Sequence, residues 1–177
     1  DIHIAPYYRY IEGANPDYAM KILKAQWAEA ARRMEVMAHD DGDPEDWDVH
    51  HWQQINPVHT EALLQLTCGG PQIIYHGGLL HVRLGYYDVD ARRPSLPPDV
   101  SALVDALTDD CVRVTLVNIS PLRPRRLMIQ AGAFGEHRFT QVTDLTEGTE
   151  DSTPLPVDDK YVQVDLAPGA RMRLELG

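Results

Sequence analysis

The chain has 177 residues, 44% of them apolar and 24% charged, which is enough apolar material for a buried core and too much for a disordered or fibrous chain. Acids outnumber Lys plus Arg by 27 to 16, for a net charge of -11, so a nucleic-acid duplex or an anionic membrane would be repelled. No segment approaches the roughly 20 apolar residues of a spanning helix, no secretory pattern opens the chain, and Cys68 and Cys111 supply no disulfide framework.

A cytoplasmic protein is therefore the simpler expectation, with a secreted one lacking disulfides as the alternative. The start at Asp1 runs at once into Ile-His-Ile-Ala-Pro-Tyr-Tyr, and this reads as the continuation of a longer polypeptide upstream.

The first clear element opens at Asn15-Pro16-Asp17, with Asn as cap, Pro at the first helical position and Asp opposing the positive helix end. Ala19, Ile22, Leu23, Trp27, Ala30, Met34 and Met37 then recur at three and four, predicting one inward apolar stripe over residues 17–38. The run Asp40-Asp41-Gly42-Asp43-Pro44-Glu45-Asp46 ends it as a solvated, unpaired turn. A second helix is expected from Asn56-Pro57 to Gly69-Gly70-Pro71, packed antiparallel to the first. Residues 72–75 and 79–86 read as a hairpin turning at His76-Gly77-Gly78.

A Pro-rich boundary at residues 92–99 leads into a short predicted helix, because Val100, Leu103, Val104 and Leu107 stand at i, i+3, i+4 and i+7. From Cys111 the period becomes two. Val112, Val114 and Leu116 share one face of a strand, and Leu127, Ile129 and Ala131 share one of another. Further strands are expected at 137–142, 161–166 and 171–176, the last pair joined by Ala167-Pro168-Gly169-Ala170. Residues 143–159 read as a long mobile loop. The fold class is thus α+β: a helical pair plus hairpin over 1–88, a linker and short helix over 89–110, and a small antiparallel β-sandwich-like unit over 111–177.

Ten of the eleven Tyr and Trp residues and seven of the eight His lie in the first 87 positions, so function is expected there. Trp47-Asp48-Val49-His50-His51-Trp52 is the densest cluster, standing just before His59 and Glu61. Trp47 and Trp52 would stack on a pyranose face, with Tyr75 and His76 of the hairpin as further substrate contacts. Asp48 and Glu61 would share acid and base work, with His51 beside them. The structural alternative has Asp48 capping a turn, Glu61 opposing a helix dipole and the rings covering the helices.

The spacing of His50, His51, His59, His76 and His81 matches no metal module, and neither a metal nor an organic cofactor is expected. Gly69-Gly70 and Gly77-Gly78 lack the strand-to-helix context and Lys of a phosphate loop. The stretch Gly132-Ala133-Phe134-Gly135-Glu136-His137 reads as a tight connection.

The segment from Val114-Thr-Leu-Val-Asn118 through an Arg-rich turn, a second strand and a glycine loop to Val162-Gln-Val-Asp-Leu-Ala-Pro-Gly-Ala170-Arg-Met-Arg-Leu resembles the β-sandwich module that closes many multidomain carbohydrate-active enzymes, the glycoside hydrolases among them. The resemblance covers residues 111–177 and implies a scaffold, with no catalytic residue carried over. The paired Asn-Pro helices are similar to the last hairpin of an α-helical toroid glycosidase. The expectation is the C-terminal part of a larger carbohydrate-processing enzyme, a hydrolase or lyase, whose ligand is a carbohydrate. The rival is a non-catalytic module that binds carbohydrate or a partner domain.

Overall fold

The computed structural model describes residues 4–70, 78–148 and 152–177. Among these described residues four α-helices come first: α1 (Ile4–Ile11), α2 (Tyr18–Ala38), α3 (Val49–Ile55) and α4 (Glu61–Cys68). Nine strands follow: β1 (Leu84–Asp88), β2 (Arg93–Pro94), β3 (Val100–Leu107), β4 (Val112–Asn118), β5 (Arg125–Ala131), β6 (Phe139–Asp144), β7 (Leu155–Asp159), β8 (Tyr161–Leu166) and β9 (Arg171–Leu176). The protein has an α+β fold, as its sequence predicts.

All pairings are antiparallel, in one sheet of order β2-β1-β5-β8 and another of order β3-β4-β9-β6-β7. Alternation drives the packing of the two inner faces. Leu84, Tyr86, Leu127, Ile129, Val164 and Leu166 from the first sheet meet Val100, Val104, Val114, Leu116, Phe139, Leu174 and Leu176 from the second. Gly169, at φ 67, makes the β8–β9 turn where the sequence places it.

The helix predicted from Val100 to Leu107 is instead β3, paired with β4 along its length. The physical reason is that both of its faces are covered. Val100, Ala102 and Val104 enter the sandwich core, Leu103 packs against the helices, and a register shift between Val104 and Ala106 lets Leu107 touch both clusters. A strand that is apolar on both sides imitates a helical pattern. Two further strand predictions shift. Within 143–159 the chain adds β7 along β6 rather than forming only a loop, and β6 begins at Phe139. Residues 79–86 form a 3₁₀ turn at Gly78–His81 and enter β1 only at Leu84, while the partner segment 72–75 and the His76 turn lie outside the described residues.

α1, α2 and α4 gather around Tyr7, Tyr10, Tyr18 and Leu66. The Tyr7 hydroxyl donates to the Gln65 carbonyl at 3.2 Å and Tyr18 to Gln65 Oε1 at 2.6 Å, so the phenols satisfy a buried amide. Both Asn-Pro helix starts are displaced. Asn15 donates from Nδ2 to the Pro6 carbonyl, tying α1 to α2, while Asp17 occupies the cap position without a side-chain bond. Asn56 closes α3 and its Oδ1 accepts from the Val58 amide, and α4 begins only at Glu61. At the other end of α4, Gly69 adopts φ 67 and returns its amide to Gln65, the stop signal read from the sequence.

The predicted stripe of α2 divides between two faces. Ala19 and Ile22 pack on the tyrosine cluster and Gln26 Oε1 accepts from the Ala62 amide. Met20, Leu23, Trp27, Met34 and Met37 are exposed, Trp27 at 80%.

Candidate functional site

The dense aromatic-histidine segment is organised by two aspartate caps. Asp43 accepts from the Glu45 amide and opens a 3₁₀ turn at Pro44–Asp46. Asp48 Oδ1 accepts from the amides of His50 and His51 at 2.9 and 3.1 Å and starts α3. That helix is too short and polar to announce itself by apolar periodicity. Its first turn carries the His51 ring back over Trp47, with centroids 4.1 Å apart and planes 16° from parallel. Trp52 meets Trp47 edge-on at 5.2 Å and leaves 56% of its own surface exposed.

His51 is fixed from the other side by Asp40, whose Oδ2 lies 2.6 Å from Nε2; the two side chains are only 26% and 15% exposed. Asp40 also accepts from the Gly42 amide. This corrects the expectation that Asp40 is exposed and unpaired like most of the acidic run: Asp41, Asp43, Glu45 and Asp46 are exposed, but Asp40 belongs to the site. Eleven positions separate Asp40 from His51, and no sequence periodicity links them. Gly42 backs the indole so closely that a Cβ there would lie 2.8 Å from Trp47 Nε1, a buried donor with no hydrogen-bond partner among the described residues.

The structure therefore brings together Trp47, His51 and Trp52, with Asp48 beneath them as the helix cap. Glu61 stands in the first turn of α4, and among the described residues no hydrogen bond or ion pair joins it to Asp48 or His51. Tyr75 and His76 lie outside the described residues. His50 turns toward Gln53, and His59 Nε2 is buried without a hydrogen-bond partner among the described residues. Among the described residues no three His, Cys, Asp or Glu side chains converge as a metal site, and no helix is long and apolar enough to cross a membrane. Chemically, the cluster offers an exposed indole, a stacked imidazole and carboxylates at its edge.

Fold and site together define an α+β protein in which a helical layer bearing an aromatic cluster packs on an antiparallel two-sheet unit. Residues 1–64, which hold that cluster, match a family model described as a domain of unknown function (DUF8034). Comparison with curated proteins gives no match. Among solved structures, a GH30 endoxylanase from Clostridium papyrosolvens is similar over 52% of this chain and 23% of that one, with 10% identity and a TM-score of 0.34.

Proposed function

We propose that this chain is the C-terminal portion of a larger carbohydrate-processing enzyme of hydrolase or lyase type. Its helical half furnishes one wall of a sugar site, and its sandwich is the scaffold. The observation that carries this reading is the exposed Trp52 indole, held edge-on by a Trp47–His51 stack that Asp40 locks in place. Such a surface suits the apolar face of a pyranose, with His51 and the carboxylates Asp48 and Glu61 as its polar partners. The partner is the remainder of the polypeptide upstream of Asp1, and the exposed row Met20, Leu23, Trp27 and Met34 on α2 supports a packing surface for it.

One observation favours a second reading, a non-catalytic carbohydrate-binding module. Asp48 commits one carboxylate oxygen to two helix amides, and among the described residues no hydrogen bond joins it to Glu61, so the acid-base pair is not assembled there. Turnover measured in the full-length polypeptide separates the two. Trp52→Ala is expected to weaken glycan binding about tenfold, the equivalent of about 1.4 kcal/mol, under either reading. Glu61→Gln lowers kcat with binding intact only if the helical half takes part in chemistry. Wild-type glycan binding by a folded Trp52→Ala variant would refute the sugar site.

A further inference from the structure

We propose a second binding site, for an acidic saccharide such as a polyuronate, on the outer face of the β2-β1-β5-β8 sheet. Alternation along β1, β5 and β8 turns Tyr87, Met128 and Tyr161 away from the sandwich core. With Arg92 and Arg93 they line a shallow cleft of about 360 Å³. The two phenol rings meet edge to face, 6.4 Å apart at 74°. Tyr87 is held from behind. Its hydroxyl donates to Oε1 of Gln130 at 3.1 Å, and that amide, 3% exposed, donates from Nε2 to the carbonyls of Gly132 and Ala133.

The cationic edge of the cleft is also built. Asp88, which borders the cleft but is 3% exposed, accepts from the amides of Asp90 and Ala91 and so fixes the turn that carries Arg92. Arg92 sits at φ 52, a backbone region that side-chain-bearing residues rarely occupy, and such strain concentrates at ligand-binding positions. Nearby Arg125 and Arg126 are paired with Asp99 and Asp90, whereas among the described residues no carboxylate pairs with Arg92 or Arg93. Arg92 therefore brings to this edge a guanidinium with no carboxylate partner among the described residues, open to an anion. A uronate joins the two features, with a C–H face for the tyrosines and a carboxylate that a guanidinium fork can bind through two hydrogen bonds.

This site is separate from the Trp52 cluster and does not depend on it. The test is calorimetric titration with oligogalacturonate and with a neutral xylo-oligosaccharide, alongside gel retardation by polygalacturonate. Arg92→Gly is the main variant because glycine adopts φ 52 without strain, so the charge is lost while the turn is kept. Tyr161→Ala removes the stacking surface, and Lys24→Gln removes an equal charge on α2. Arg92→Gly and Tyr161→Ala are expected to weaken oligogalacturonate binding roughly tenfold or more with thermal midpoints preserved, while Lys24→Gln leaves it unchanged and added salt weakens it. The proposal is overturned if polygalacturonate does not retard the wild-type protein, if acidic and neutral sugars bind alike, or if Arg92→Gly retains wild-type affinity.

Discussion

The Tyr18 hydroxyl and Gln65 Oε1 form a 2.6 Å hydrogen bond where only 3% of the glutamine is exposed. Tyr18→Phe keeps the ring packing but leaves that oxygen without its donor, so a loss of about 1–3 kcal/mol is expected in chemical denaturation. A change below a few tenths would mean that water replaces the phenol. Asp40 gives the second test of single residues. Asp40→Ala removes the hydrogen bond that fixes His51 over Trp47, and a cost of about 1–3 kcal/mol is expected, accompanied by altered tryptophan emission. Unchanged emission and stability would show that the indole stack holds the imidazole by itself.

Helices α1 and α2 share a cluster of tyrosines whose titration is displaced in one direction. Burial, with neighbouring tyrosines adding to it, pushes the Tyr7 phenol well above its ordinary value of 10.0. Burial and the nearby Asp105 push Tyr10 up to about 12, and burial raises Tyr18. A phenol whose folded value lies above its unfolded one stabilises the fold below the unfolded value, and that contribution disappears as pH rises through the folded one. The helical layer is therefore expected to hold up to about pH 10 and to weaken progressively between pH 10 and about 12. Phenolate absorbance followed beside far-ultraviolet circular dichroism checks this. Tyr7, Tyr10 and Tyr18 are expected to ionise late and together with helix loss, beside Tyr86, whose phenol burial also pushes up, whereas ionisation of all tyrosines near pH 10 with helices intact would contradict the burial.

Across the whole molecule, β3 joins the two apolar clusters, since Leu107 packs on both and Leu103 supports the helices from the strand's outer face. One cooperative unfolding transition is expected, with tyrosine-based and strand-based signals coincident. Leu107→Ala should shift both signals together, and separation of the two midpoints would show that the layers unfold independently. Leu116 and Ile129 are fully buried on facing sheets, so truncating either to Ala is expected to cost about 2–5 kcal/mol. Equilibrium denaturation measures this, and a loss under about 0.5 kcal/mol at both would contradict the assigned inner faces.

The sequence by itself determined what depends on local chemistry. Leu116 and Ile129 fall at period-two positions of their strands, Gly69 stops a helix, Gly169 makes a turn, and β8 and β9 begin and end where their period-two patterns do. Each of these is decided within a few residues by sterics and by one wet face opposite one dry face. The tertiary structure decided whatever depends on who covers a surface. β3 is a strand because a sheet lies on one side of it and helices on the other, a pattern that sequence alone cannot distinguish from a helix. Met34 and Trp27 are as apolar as Ile22, yet only Ile22 finds the tyrosine cluster. The aromatic cluster was legible as composition, but its partner Asp40, eleven residues away across a turn, entered only when the chain folded back. Tyr87 and Tyr161 stand 74 positions apart, and only the β1-β5-β8 register brings their rings to one cleft beside Arg92.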